Sequence, residues 1–269
     1  AMILGGIERP NMAITVNDIY GETEKFELMF KTLQTFNNES GIIYFSLIQT
    51  LEKFSNFLFS KKIHHTKYHG DLPGNVRRRH QNDFISGKDQ LILATPAFGL
   101  GVDKANIRFI FHTEIPSTLE AYFQEIGRGG RDGLLAQAIL FYDQEDVSIQ
   151  MQFLEWAYPD EAFIRKVYDL IQTYPAKVAM EGYDFLREQM VFKNKRDYRV
   201  NSAVSILARW GNLEEDETPF GFKIAEPLSD DLFTQENQSL LKKEHQKKLL
   251  EILRWAQNRD DCRLNQIYK

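Results

Sequence analysis

The stretch that decides the fold is Leu91-Ile-Leu-Ala-Thr95-Pro-Ala-Phe98-Gly99-Leu-Gly101-Val-Asp103-Lys104. Its first five residues are mostly apolar, lack polar alternation, and suit a strand covered on both faces. A proline and two glycines then end any regular element. Thr95 thus stands at the carboxyl end of a buried strand, where open α/β sheets bind ligands. Gly99 and Gly101 let backbone approach such a ligand closely. Asp103 has three readings here. It accepts a hydrogen bond from a ribose hydroxyl, couples a nucleotide to a nucleic-acid site, or caps the next turn.

Working outward, similar short apolar runs occupy 13–16, 41–46, 108–112 and 136–142. Helical patterns at 24–36, 47–59, 73–85 and 118–126 lie between them. The second of these sets Leu51, Phe54, Ser55 and Leu58 on one face. This alternation predicts an α/β fold, a parallel sheet flanked by helices, over residues 10–143. Beyond 143 the rhythm becomes helical. Phe163, Val167, Leu170 and Ile171 share one face, 183–192 reads as a second helix, and 200–213 as a third that Gly211 closes. A short strand at 221–225 completes a pattern shared by a winged helix and a plain helical accessory domain, with both open over 144–228. The polar stretch 229–237 reads as a linker, and 241–256 as an amphipathic helix.

Composition narrows the classes. The 269 residues carry a net charge of −5 and 43% hydrophobic residues. That excludes a protein that binds nucleic acid with its whole surface, while leaving local basic patches. Arg77, Arg78, Arg79 and His80 form one such patch, with Lys61 and Lys62 shortly before it. On charge alone a run of this kind reads first as a solvated helix face. No apolar stretch is long enough to span a membrane, and no secretory signal is visible. The single cysteine, Cys262, excludes an internal disulfide and a complete cysteine-rich zinc site in this chain, and fits a reducing, intracellular setting.

Residues 118–133 carry the strongest chemical signal. Leu119, Tyr122, Phe123 and Ile126 fall on one helix face, Gln124 and Arg128 on the other. Gly127, Gly129 and Gly130 predict that the helix stops before Arg131. Two arginines on such a turn can reach a polyphosphate, because guanidinium is a planar fork that stays charged. During phosphoryl transfer such a group offsets charge on the γ-phosphate. Taken alone, the turn reads equally as surface arginines paired with Asp132 and Glu125. Tyr68-His69-Gly70-Asp71-Leu72-Pro73 precedes the basic helix, whose amino terminus suits a phosphate.

Taken in order, these motifs (YHGDLP at 68–73, R-x-x-x-Q at 77–81, 91–104, RFIFH at 108–112 and YFQEIGRGGRDG at 122–133) resemble the second motor lobe of superfamily 2 helicases, and within them the RecQ family of DNA helicases. Gln124 and the Ala-Phe-Gly element at 97–99 separate the chain from the DEAD-box RNA helicases. The match runs from about Arg9 to Tyr142. Residues 249–263 also resemble the helix that leads into the family's four-cysteine zinc domain.

The resemblance implies a RecA-like lobe, ATP with Mg²⁺ as cofactors, and 3′→5′ movement on single-stranded and forked DNA. Arg128 and Arg131 become candidate arginine fingers, with Gln124 beside the γ-phosphate. Asp103, Gly101 and Gly127 fall in nucleotide-facing motifs. His69, Arg77, Thr95 and Phe98 fall where this lobe meets DNA or supports the loops that do. Cys262 becomes one ligand of a zinc site needing a longer parent. The implied setting is intracellular, cytoplasmic or nucleoid in a bacterium. Residues 1–9 would be the link between motor lobes, and 229–269 the linker and helix into a truncated zinc-binding region.

Several positions depart from the family pattern. Phe45-Ser46-Leu47-Ile48 stands where Cys-x-Ser-Arg is common, so a polar and basic contact is missing. Asp71 adds negative charge where glycine is common. Gly129 replaces a common alanine, which should loosen the finger turn. The 144–240 region is longer than the usual connection, as an inserted winged helix would make it. No G-x-x-x-x-G-K-[S/T] phosphate loop and no Asp-Glu-x-His metal motif occur. The expectation is the C-terminal part of a RecQ-like helicase, inactive as an ATPase without the missing N-terminal lobe. The alternative is a non-enzymatic DNA- or protein-binding module with a degenerate motor lobe.

Overall fold

The computed structural model describes residues 10–99, 102–190, 198–215, 221–233, 235–260 and 263. They divide into two compact units, one of residues up to 150 together with 248 onward, the other of 151–247.

The first unit is built on six parallel strands: β1 (Met12–Asp18), β2 (Ser40–Tyr44), β3 (Thr66–Tyr68), β4 (Leu91–Ala94), β5 (Ile107–His112) and β6 (Ala136–Tyr142). Their order across the sheet is β1-β6-β5-β2-β4-β3, and every pairing is parallel. Helices α1 (Glu22–Leu33), α2 (Ile48–Ser60), α3 (Gly74–Ile85) and α4 (Leu119–Ile126) lie between strands in the chain. This is the RecA-like α/β architecture.

Adjacent residues of each central strand point to opposite faces, and both faces are covered. Ile43, Leu93, Phe111 and Phe141 pack with Met29 of α1 and Phe54 of α2. Their neighbours Ile42, Ile92, Ile110 and Leu140 pack with Phe84 of α3 and Tyr122 of α4. Double coverage explains why these strands read as continuous apolar runs rather than alternating ones.

β3 was not expected. Its three residues, Thr-Lys-Tyr, are too few and too polar to signal a strand, and β4 holds them at the sheet edge with Lys67 opposite Leu93. Two further helices lack a signal in the expected scheme, α5 (Asp146–Ala157) and α7 (Pro175–Glu181). α7 has proline in its first turn, which a helix tolerates there and nowhere later.

The second unit packs α6 (Glu161–Thr173), α7, α8 (Tyr183–Gln189) and α9 (Arg199–Arg209) with an antiparallel pair, β7 (Leu213–Glu215) and β8 (Phe222–Ile224). Its core includes Ile164, Val167, Leu186, Val200 and Leu207. Asp160 caps α6 by accepting from the Phe163 amide at 2.8 Å. Gly211, with φ +81°, ends α9 as its sequence position predicts.

α10 (Gln235–Gln257) starts earlier than the amphipathic pattern at 241 indicates, taking in part of the expected linker. Its end belongs to the first unit. Leu249, Ile252, Trp255 and Ala256 join the core that holds Ile115 and Tyr122. The compact units divide at 150/151 and 247/248. Cys262 and the expected link at 1–9 lie outside the described residues.

Candidate functional site

The carboxyl ends of β2, β4 and β5 lie side by side. The Phe45 amide donates to the Ala94 carbonyl at 2.8 Å, the Thr113 amide to Tyr44 at 3.0 Å, and the Thr95 amide to Tyr68 at 3.0 Å. The Thr95 carbonyl accepts from the Phe98 amide at 2.9 Å and closes the turn after β4. This edge carries the loop at 95–104, of which Leu100 and Gly101 lie outside the described residues.

α4 delivers the arginines to that loop. Thr118 caps it, its hydroxyl accepting from the Ala121 amide at 3.0 Å. Tyr122 and Ile126 point into the core, while Gln124 is exposed. The helix stops at Ile126 as the glycines predict. The Gly127 amide still reaches Phe123 at 2.8 Å, after which single turns carry the chain through Gly130. Gly130 has φ +57°, and a Cβ there would lie 2.5 Å from Asn11 Nδ2 and 2.7 Å from the Leu134 carbonyl. Only glycine fits such a place. Asn11 then ties the turn down, donating to the Gly130 and Leu134 carbonyls at 2.8 Å each. Asn11 marks the start of the matched region, but nothing in the sequence connects it to a turn 119 residues later.

Both arginines meet the 99–103 segment. Arg128 donates to the Gly99 carbonyl at 2.5 Å, and its Nε is buried without a partner among the described residues. A Cβ on Gly99 would stand 2.6 Å from Arg128 Nη2, so the absence of a side chain there makes room for the guanidinium. Arg131 donates to the Val102 carbonyl at 3.1 Å and to Asp103 at 2.9 Å. The Tyr44 hydroxyl, whose ionisation burial suppresses, donates to the Phe98 carbonyl at 3.0 Å and steadies the loop from below.

The acids that might have taken these arginines are engaged elsewhere. Asp132 pairs with Arg108, whose hydrogen bond holds the Asp132 carboxyl below the usual range. Glu125 is bound by His112 at 2.7 Å. A surface turn paired with Asp132 and Glu125 is therefore not what forms. Gly129 sits close to the neighbouring core. A Cβ there would approach the Met12 methyl to 2.8 Å, a contact that the flexible end of that side chain can yield.

The expected DNA-facing residues separate. Phe98 is 1% exposed and packs on Tyr68 and Phe84, with ring centroids 4.9 and 5.9 Å away. It is a core residue and not a nucleic-acid contact, because the turn after β4 folds it inward. His69 is 4% exposed, its Nε2 lying 3.2 Å from Glu52 and its Nδ1 buried without a partner among the described residues. It supports the 69–73 loop from within. Thr95 is buried as the hinge of the turn. Arg77 is half-buried on α3, while Arg78 and Arg79 are exposed. Pro73 opens that helix with no side-chain cap.

Sequence reading missed Glu114. It is buried at the end of β5 and accepts from the Ser46 amide at 2.8 Å and from the Thr113 hydroxyl. Burial pushes its carboxyl up to about 7, against those hydrogen bonds and the nearby Lys25 ammonium, which lower it. Lys25 in turn binds Asp146 at 2.7 Å and the Thr113 carbonyl at 2.7 Å. The segment that lacks the family's basic contact is thus held by a buried acid.

Among the described residues no group of His, Cys, Asp and Glu is placed to hold a metal ion, and no helix is long and apolar enough to cross a membrane.

The helicase conserved C-terminal domain family matches residues 24–133, the part of the six-stranded lobe that runs from α1 through the arginine turn. The chain is similar to the ATP-dependent DNA helicase RecQ of Bacillus subtilis, 34% identical over 156 residues, covering 58% of this chain and 26% of that protein. It is also similar to the RecQ helicase of Haemophilus influenzae, 36% identical over 143 residues, covering 53% and 23%. Among solved structures, Dbp5 of S. cerevisiae bound to RNA and ADP BeF3 aligns at a TM-score of 0.47 and 21% identity, over 55% of this chain and 39% of that one. Over these residues the chain is similar to RecQ-family DNA helicases. It spans about a quarter of the length of the curated relatives it matches.

Proposed function

We propose that the chain supplies the second half of an ATP site in a DNA helicase moving 3′→5′, with Arg128 and Arg131 as the arginine fingers. The observation that carries this reading is the convergence of both guanidiniums on residues 99–103. The energetics of the two contacts differ. Asp103 is 90% exposed, so its pair with Arg131 is worth at most about 1 kcal/mol and exchanges readily for a triphosphate. Arg128 is more enclosed and acts as the fixed member. Gln124, exposed one turn before Arg128, faces the γ-phosphate. Asp103, once released by Arg131, is free to meet the ribose or the DNA-bound loop. By the resemblance, Gly101 and Gly127 fall in motifs that face the nucleotide.

The phosphate loop and the Mg²⁺ ligands belong to a first motor lobe beyond these residues. ATP supplies the energy of phosphoryl transfer when bound between the lobes. The residues of this chain orient and neutralise its γ-phosphate. Arg77, with Arg78 and Arg79, follows the strand backbone, and the 160–228 region acts as a winged helix on duplex DNA at the fork. Cys262 is one zinc ligand in the parent. The setting is intracellular.

The test is ATP turnover by the full-length parent with Arg128→Ala and Arg131→Ala. A loss of kcat of about 1,000-fold or more is expected for Arg128→Ala, the range known for such groups. Near-normal turnover in both variants would sink the assignment. Strand displacement on 3′- against 5′-tailed duplexes tests polarity. The 269-residue chain alone should hydrolyse no ATP and bind single-stranded DNA weakly and salt-sensitively, since so acidic a chain contacts few phosphates.

A second reading, a non-enzymatic DNA- or protein-binding module, is favoured by the Phe45-Ser46-Leu47 segment, where no basic side chain stands. An ATPase-inactive parent that still binds DNA would support it.

A further inference from the structure

The sheet has a second opening, at the edge away from the arginines. A cavity of about 520 Å³ lies at the amino ends of β2, β4 and β5, within the size range of small-ligand sites. Its floor is aromatic. Phe36 is half-buried and tilts against Phe109 with ring centroids 4.6 Å apart. The Phe109 ring lies where a Cβ on residue 41 would be, so Gly41 is what admits it. Amide side chains rim the floor, among them Asn38 and Gln90. Gln90 is fixed at both ends, donating to the Gly87 carbonyl at 2.9 Å and accepting from the Ser40 hydroxyl, which leaves one N–H and one lone pair of its amide for a ligand.

Backbone strain marks the same place. Among the described residues the non-glycine positions with positive φ are Asn38 (59°) and Lys62 (60°), and both line this cavity. Asn38 adopts that conformation readily. Lys62 does not. α2 ends in a Schellman arrangement, with the Ile63 amide reaching the Leu58 carbonyl at 3.0 Å and the Lys62 amide reaching Phe59 at 3.0 Å. Its left-handed position favours glycine. A lysine there strains the turn and puts a cationic residue on the cavity lining, which also carries Glu39. No ion pair of Lys62 is found among the described residues, whereas Lys88 on the same rim pairs with Asp83 at 3.2 Å. Strain held at a pocket points to function.

We infer that this cavity binds a nucleotide, with the base on Phe36, its edge read by the rim amides, and the phosphate on Lys62. Aromatic rings stack bases of any sequence, and amide side chains match their hydrogen-bonding edges. The nucleotide is either free or the terminal residue of a strand.

Deoxyadenosine monophosphate titrated into the full chain, followed by calorimetry, tests this. Saturable binding is expected, weakened at least tenfold in Lys62→Gly, whose melting temperature should rise by about 2–4 °C as the strain is relieved. An Arg128→Ala, Arg131→Ala double variant should bind as the parent chain does, which separates this cavity from the finger turn. A 5′-phosphorylated oligothymidylate that competes identifies a strand end as the natural occupant, and one that does not compete identifies a free nucleotide. Four results would overturn the inference. They are undiminished binding by Lys62→Gly, a lowered melting temperature in that variant, loss of binding in the arginine double variant, or inorganic phosphate binding as tightly as the nucleotide.

Discussion

At the scale of single residues, Glu114 and Phe98 make opposite demands on experiment. Burial raises Glu114 from 4.5 to about 7, so the folded state keeps a proton that the unfolded state releases between those values. Its contribution to stability is full below 4.5 and is lost as pH rises to about 7, with a slope approaching 1.4 kcal/mol per pH unit. Asp146, raised by the same burial, adds in the same direction, and the facing Lys25 ammonium opposes both. Urea midpoints should therefore fall between pH 5 and pH 8. Glu114→Gln, which keeps an acceptor for the Ser46 amide, should flatten that fall. An unchanged slope in the variant would place the titration elsewhere. Phe98 belongs to the core, so Phe98→Ala should lower unfolding free energy by about 3–5 kcal/mol, measured by chemical denaturation. A DNA-binding defect without that loss would return the ring to the surface. Neither residue's role was legible from its type. A glutamate reads as solvated, and a phenylalanine beside glycines reads as exposed, until the turn after β4 and the neighbouring strand ends show where each points.

At the scale of elements, the arginine turn after α4 and the loop after β4 meet because Gly99 leaves room for Arg128. On the proposed function, Gly99→Ala should displace that guanidinium and lower the kcat of ATP turnover in the helicase at least about tenfold, with melting temperature nearly unchanged. Unaltered turnover would mean that Arg128 works from another position. The residues of this pairing were legible separately in the sequence, and so were the α4 stop and the strands with paired apolar faces, such as Ile42 with Ile43 and Ile92 with Leu93. Their union was not, since 29 positions separate Arg128 from Gly99 and no local pattern records it. β3 escaped because an edge strand of three residues is defined by its partner β4 and not by its own side chains. Lys62 escaped for the converse reason. Its signal is a φ angle, and lysine in sequence advertises only charge.

At the scale of the whole molecule, the last turns of α10 buttress the lobe. Trp255 packs on Tyr122 with ring centroids 5.0 Å apart, and its indole donates to the Arg263 carbonyl at 3.1 Å. Tyr122 lies on α4, two residues before Gln124. Trp255→Ala should therefore destabilise the lobe by about 3–5 kcal/mol and blunt α4 as a carrier of the arginines. Hydrogen exchange across residues 119–126 would reveal it, and unchanged protection there would refute the coupling. The lobe is also discontinuous in the chain, left at residue 150 and rejoined at 248. A ribosome adding about 5–20 residues per second takes roughly 5–20 s over the intervening stretch. Through that interval the nascent lobe has its sheet but not the tryptophan that seals it, and a greasy gap faces the chaperones until the closing helix emerges.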